Sequence, residues 1–160
     1  VKVGRSIDGT IYVLNADIKK RSIDSLVTTA YLRQNEQQAL VFGVETVAFQ
    51  AVLMILFTQE AQRRGKYLPI KEIPKQTINK EMRIGRLSPF VERGVIRFQK
   101  GNSDQDLLIE QLIYFPSATV NDDGPDALEM AVGLAEQYAG GPIGYESVTK
   151  RHFADLRGAW

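Results

Sequence analysis

The stretch ALVFGVETVAFQAVLMILFTQEAQRRG, Ala39 to Gly65, decides the fold class. Its first six residues, ALVFGV, form a short continuous apolar run of the kind found in strands covered on both faces. Glu45 follows directly, at the expected carboxyl end of that strand. From Thr46 the spacing predicts a long helix that runs to a stop at Gly65, with Arg63 and Arg64 suiting its negative end. A buried strand that feeds a long helix points to an α/β protein.

The same alternation extends in both directions. Toward the amino end, Asp8-Gly9 is a hairpin signal between Lys2–Arg5 and Thr10–Ile18, whose IYVLNADI is rich in strand formers. Ser22 to Gln37 carries Ile23, Leu26, Val27, Ala30 and Tyr31 at helical spacing, with Ser22 placed as N-cap. Toward the carboxyl end, Leu68 to Ile73 reads as the next strand. Lys80 to Gly94 reads as one or two short helices interrupted before Pro89, and Val95 to Phe98 as a short strand. Leu107 to Tyr114 and Ala127 to Tyr138 are the last two helices. After Gly140 the chain is punctuated by Gly and Pro. The expected organisation is therefore one domain over residues 1–140 and a tail over 141–160 that is either loosely packed or docked on the domain through Phe153, Leu156 and Trp160.

Composition narrows the class further. At 160 residues, with 44% hydrophobic and 24% charged positions, the chain is long enough to bury a core. It has no cysteine, so disulfides and thiolate zinc sites are excluded, and any metal falls to oxygen ligands or to His152, the one histidine. His152 lies in the tail and reads as incidental. The apolar run from Ala48 to Phe57 is too short to span a bilayer. Val1 in place of Met is expected of a piece excised from something longer. No GxxxxGK[ST] loop occurs, which sets an ATPase motor aside.

Two features bear on chemistry. The first is NDDGPDALEMAV, Asn121 to Val132, which crowds Asp122, Asp123 and Asp126 at the mouth of an amphipathic helix. Carboxylates this dense repel one another, and a helix dipole favours only one or two of them. Mg²⁺ and similar hard cations take one or two carboxylates with waters and substrate phosphates. The same residues also read as an ordinary helix start, with Asp122 or Asp123 as N-cap and Pro125 in the first turn. Glu45 is the second acid of interest, because ligands of open α/β sheets gather outside the carboxyl ends of strands. It too has a structural alternative, as an acid near a helix start.

The second feature is a charge asymmetry hidden by a formal net charge of +1. Lys75, Lys80, Arg83, Arg86, Arg93, Arg97 and Lys100 crowd one segment against only Glu81 and Glu92. From Gly101 to Thr149 no Lys or Arg occurs, whereas nine acids do. A basic strip contacts phosphates without sequence preference, and Lys80, Arg83 and Arg86, spaced i, i+3, i+6, would share one helix face. A solvated charge pattern is the alternative.

Four stretches resemble the C-terminal nuclease domain of the large terminase subunit of tailed bacteriophages and prophages. They are GTIYVLNADIKKRS, VFGVETVAFQ, INKEMRIGRLSPFVERGVIRF and LIEQLIYFPSATVNDDGPDALEMAV. The last two are the most specific, and the resemblance extends to about Tyr138. It implies an RNase H-like fold, a mixed sheet flanked by helices. It also implies a Mg²⁺- or Mn²⁺-dependent endodeoxyribonuclease that cuts concatemeric viral double-stranded DNA during genome packaging. Two ions roughly 3.5–4 Å apart would activate the attacking water and stabilise the leaving oxygen.

Carried over by residue, the resemblance makes Glu45, Asp123 and Asp126 catalytic metal ligands, with Asp122 adjoining them. Lys80, Arg83 and Arg86 are candidates for phosphate contacts. A further first-strand Asp of the family would fall upstream of Val1, which would leave one metal site incomplete here. Asp17 lies past the position that the pattern requires. Implied partners are an N-terminal ATPase domain of the same protein, a portal protein and a small terminase subunit, in the cytoplasm of a bacterial host and with no membrane role. Two alternatives remain: another RNase H-like nuclease such as a resolvase, and a catalytically silent domain that docks on DNA or a portal.

Overall fold

The computed structural model describes residues 1–46, 50–117 and 119–138. The expected tail over 141–160, with His152, lies outside the described residues, as do 47–49 within the stretch first quoted. The described chain is α/β. In order it forms strands β1 (Lys2–Arg5) and β2 (Ile11–Asn15), helix α1 (Ile23–Gln37), β3 (Phe42–Thr46), α2 (Gln50–Arg64) and β4 (Ile70–Pro74). Then follow α3 (Lys80–Gly85), α4 (Ser88–Glu92), β5 (Ile96–Arg97), α5 (Ser103–Ile113) and α6 (Asp123–Gln137). The chain divides into two compact units, one of 1–18 with 78–160 and one of 19–77.

The first unit holds a three-stranded sheet in the order β1-β2-β5, with β1 and β2 antiparallel and β2 and β5 parallel. The hairpin forms where Asp8-Gly9 predicts it. The Gly9 N–H donates to Ser6 O at 3.0 Å, and Asp8 Oδ1 accepts the Thr10 N–H at 3.0 Å. Period-two alternation does not describe β2, because Ile11, Tyr12 and Val13 are all buried. A core of Ile11, Val13, Ala16, Leu87, Ile96, Leu108, Leu128 and Val132 gathers β2, β5, α5 and α6.

Buried backbone groups must find partners, and a glutamine supplies two of them in this unit. Gln105, fully buried on α5, donates from Nε2 to Val13 O at 2.9 Å and accepts the Gln99 N–H at 2.8 Å. It therefore ties β2 to the loop after β5. The helix that carries it begins a turn earlier than the apolar spacing predicts. Asn102 caps it, accepting the Asp104 N–H at 3.1 Å, and polar first-turn residues have no apolar signature to read.

The second unit is a β-α-β piece, with β3 and β4 parallel and Glu45 opposite Ile73. A parallel pair needs a crossover of a dozen or more residues, and α2 lies between the two strands. Ser22 caps α1 as its sequence predicts, accepting the Ser25 N–H at 3.3 Å. At the other boundary Lys66 N donates to Ala61 O at 3.1 Å and Gly65 N to Gln62 O at 3.4 Å. With Gly65 at φ +64°, these bonds close α2 by a Schellman motif. Val27 and Tyr31 of α1 pack on Leu53 and Phe57 of α2, with Val44 and Ile70 of the two strands against them.

The expectation that β3 is covered on both faces is corrected. Gly43 is exposed, and Phe42, Val44 and Glu45 are half-buried. The apolar run is long enough for a strand, but among the described residues this sheet has two strands and one helical layer. Among the described residues, no helix is long and apolar enough to cross a membrane.

Candidate functional site

The basic side chains come from α3. Asn79 caps that helix, accepting the Glu81 N–H at 2.7 Å, and Arg86 is its C-terminal boundary residue. Residues three apart on a helix are surface neighbours, so Lys80, Arg83 and Arg86 form the expected single row. The acidic side chains come from α6, where Asp122, Asp126 and Glu129 recur at i, i+4, i+7 and also form a row.

The two rows face each other and pair. Lys80 Nζ lies 2.8 Å from Asp122 Oδ1 and 3.4 Å from Asp126 Oδ2. Arg83 reaches Asp126 at 2.7 Å with Nη2 and Glu129 at 2.5 Å with Nη1. Arg86 closes the ladder at 3.0 Å from Glu129. Three cations thus meet three carboxylates, and the sequence's charge asymmetry is locally cancelled. The three candidate phosphate contacts meet two of the four candidate metal ligands, Asp122 and Asp126, in one ladder.

Burial separates the rungs. Arg83 is 4% exposed, a burial that a guanidinium tolerates only when paired. Burial opposes its charge, yet the hydrogen bonds to Asp126 and Glu129 outweigh that and hold its pKa above the ordinary value. Its Nε is buried with no acceptor among the described residues. Burial likewise works against the charge on Lys80, and Asp122 and Asp126 more than offset it, raising the pKa. The side chain of Lys80 is nonetheless 37% exposed and that of Arg86 61%.

The mouth of α6 is capped from outside. Asp122 is the N-cap residue by position, but its side chain makes no capping bond. The Gly124 N–H, one of the helix's free donors, goes instead to Gln111 Oε1 of α5 at 3.1 Å. A Cβ built on Gly124 would run into Gln111 Oε1 and Ile18 Cδ1. This close seating leaves the Asp122 carboxylate to Lys80. The Asp123 side chain is exposed and makes no hydrogen bond or ion pair among the described residues.

Glu45 belongs to the other unit. It is the penultimate residue of β3, half-buried, and its side chain likewise has no hydrogen bond or ion pair among the described residues. Among the described residues, no three His, Asp or Glu side chains are grouped to hold a metal. A pair of carboxylates does converge on a cation, the Lys80 ammonium between Asp122 and Asp126. Glu129, Gln111 and Gly124 were not singled out in the sequence. Glu129 had a readable signal, since acids at 122, 126 and 129 mirror bases at 80, 83 and 86.

Fold and site together define an α/β protein with a cross-helix ion ladder at the mouth of its last described helix. No protein-family model, curated protein or solved structure matches this chain.

Proposed function

We propose that this chain is the nuclease domain of a phage or prophage large terminase. On this reading it is an RNase H-like, Mg²⁺- or Mn²⁺-dependent endonuclease acting on double-stranded DNA. The observation that carries the reading is the Lys80 ammonium seated between Asp122 and Asp126. Two carboxylates that share one cation form the donor set that Mg²⁺ uses, since it keeps waters and substrate phosphate for its remaining positions. Asp122 and Asp126 are oxygen donors of the type such an ion takes, while Asp123 is brought in by the resemblance and not by a grouping of the three. When bound, such ions would supply an activated water and charge stabilisation at the leaving oxygen.

The chain's own residues have distinct parts in this reading. Arg83 aims Asp126 by holding one of its oxygens. Arg86, the most exposed rung, meets phosphate, and Lys80 does so when it leaves its carboxylates. Asp123 at the start of α6 is available as a ligand, its side chain having no competing ion pair among the described residues, and Glu45 is assigned a ligand role by the resemblance alone. The ATPase domain, portal, small subunit and bacterial cytoplasm follow as proposals from the same reading.

A second reading, a silent domain that docks on DNA or a portal, is favoured by the charge balance of the ladder, which accounts for its acids without metal. Nicking of supercoiled plasmid in Mn²⁺ separates the two. This chain and a version extended upstream through the Asp that the resemblance implies should be compared, each with and without Glu45→Ala. Metal-dependent nicking that disappears in Glu45→Ala is expected. Plasmid that stays intact with the extended protein, while still being bound, overturns the nuclease reading in favour of docking.

A further inference from the structure

We propose that the hairpin end of the three-stranded sheet is a phosphate-binding surface, built from Arg5, Arg93 and Arg97, that takes the backbone of a nucleic-acid duplex. The choice of a duplex rests on the nuclease reading above, whereas the phosphate chemistry comes from the surface itself. Lys80, Arg83 and Arg86 spend their charge on the acids of α6. Arg5, Arg93 and Arg97 do not. All three are exposed, and none has an ion pair among the described residues.

Strand pairing gathers the three from distant parts of the sequence. Arg5, the last residue of β1, lies opposite Ile11 of β2, which lies opposite Ile96 of β5. Neighbouring strands are about 4.8 Å apart, so Arg5 and Ile96 stand about 10 Å apart across the sheet. The Ile11 N–H donates to Val95 O at 2.7 Å, which seats the turn from α4 into β5, and Arg93 with it, beside the start of β2. Arg97 is one residue further along β5. Its Nε donates to Gly94 O at 2.9 Å, which turns the guanidinium back toward the same end and leaves both terminal nitrogens for a ligand. Two acids share this end and serve their own elements: Asp8 accepts the Thr10 N–H at 3.0 Å and Glu92 the Ser88 hydroxyl at 2.9 Å. A guanidinium is a rigid fork of donors that matches phosphate oxygens in pairs, and a duplex presents such oxygens in fixed rows. Anionic membranes are held instead by clusters of about four to eight bases, more than this end carries.

The test is binding of a short fluorescent DNA duplex, read by anisotropy across a NaCl series without divalent metal. The parent is compared with Arg5→Gln, with Arg93→Gln plus Arg97→Gln, and with Arg93→Lys plus Arg97→Lys. Each lost phosphate contact should flatten the log–log salt slope by about 0.9 and weaken binding on the order of tenfold at 0.1 M salt. The double Gln variant should therefore lose about twice what Arg5→Gln loses, and the double Lys variant, which keeps its charge, should keep the parent's slope. An unchanged urea midpoint separates lost charge from lost fold. Slope and affinity equal to the parent's in the Gln variants overturn the surface and leave the nuclease reading standing. Absence of duplex binding by the parent overturns it too, whether or not phosphatidylserine vesicles bind in its place, and Mn²⁺-dependent nicking of plasmid then decides the nuclease reading separately.

Discussion

Arg83 and Arg86 stand one turn apart, carry the same charge and touch the same carboxylate, yet their environments give them different energetic weights. Arg83 is buried between Asp126 and Glu129. Its removal leaves two partly buried acids short of a partner, and Arg83→Met should cost about 3 kcal/mol, at the low end for a broken buried pair because Lys80 and Arg86 remain. Arg86→Ala removes one exposed contact and should cost under about 1 kcal/mol. Urea unfolding of both variants checks the contrast, and equal losses would mean that burial does not rank the rungs. The sequence shows the spacing of the row but gives all three bases the same appearance. Which base is buried depends on the partner helix.

At the scale of the element, α6 has a start that its own sequence only half explains. The Asp-rich mouth and Pro125 announce a helix, and one forms from Asp123. Its amide cap comes from Gln111 of α5, and the approach that permits this bond leaves no space at Gly124 for a side chain. A Gly→Ala change in a helix ordinarily gains about 0.5–1 kcal/mol. Here Gly124→Ala should lower stability by about 1–3 kcal/mol, the usual cost of overpacking, read as a lower denaturation midpoint. A midpoint at or above the parent's would show that Ile18 and Gln111 move aside freely. The helices with side-chain caps, at Ser22, Asn79 and Asn102, use bonds spanning two or three residues. The first of these was legible for that reason. The cap from Gln111 spans 13 residues and was not.

For the whole molecule, the ion pairs set a pH window. The carboxylate of Glu60, held by hydrogen bonds from Arg63 and Arg64, has its pKa lowered from 4.5 to about 2. Its folded value lies below its unfolded one, so its contribution is fully present above pH 4.5 and is lost as pH falls through about 2. Lys80 has the opposite sign. Its folded pKa is raised from 10.5, so its contribution is complete below pH 10.5 and is lost as pH rises through the higher folded value. Melting temperatures of the parent, Glu60→Gln and Lys80→Met across pH 2 to 12 check both signs. The parent's advantage over Glu60→Gln should vanish at the acid end, and that over Lys80→Met, compared above about pH 7 where its carboxylate partners are ionised, at the alkaline end. By itself the sequence determined the order of strands and helices, the Asp8-Gly9 turn, the Gly65 stop and the placing of acids on one helix start and bases on another, because each is specified within a turn or two of chain. Only the tertiary structure decided that β2 pairs on its other edge with β5, that Gln105 and Gln111 satisfy buried amides and carbonyls, and that Lys80, Arg83 and Arg86 neutralise acids more than forty residues away. Those outcomes depend on which groups lose water together, and no local spacing encodes that.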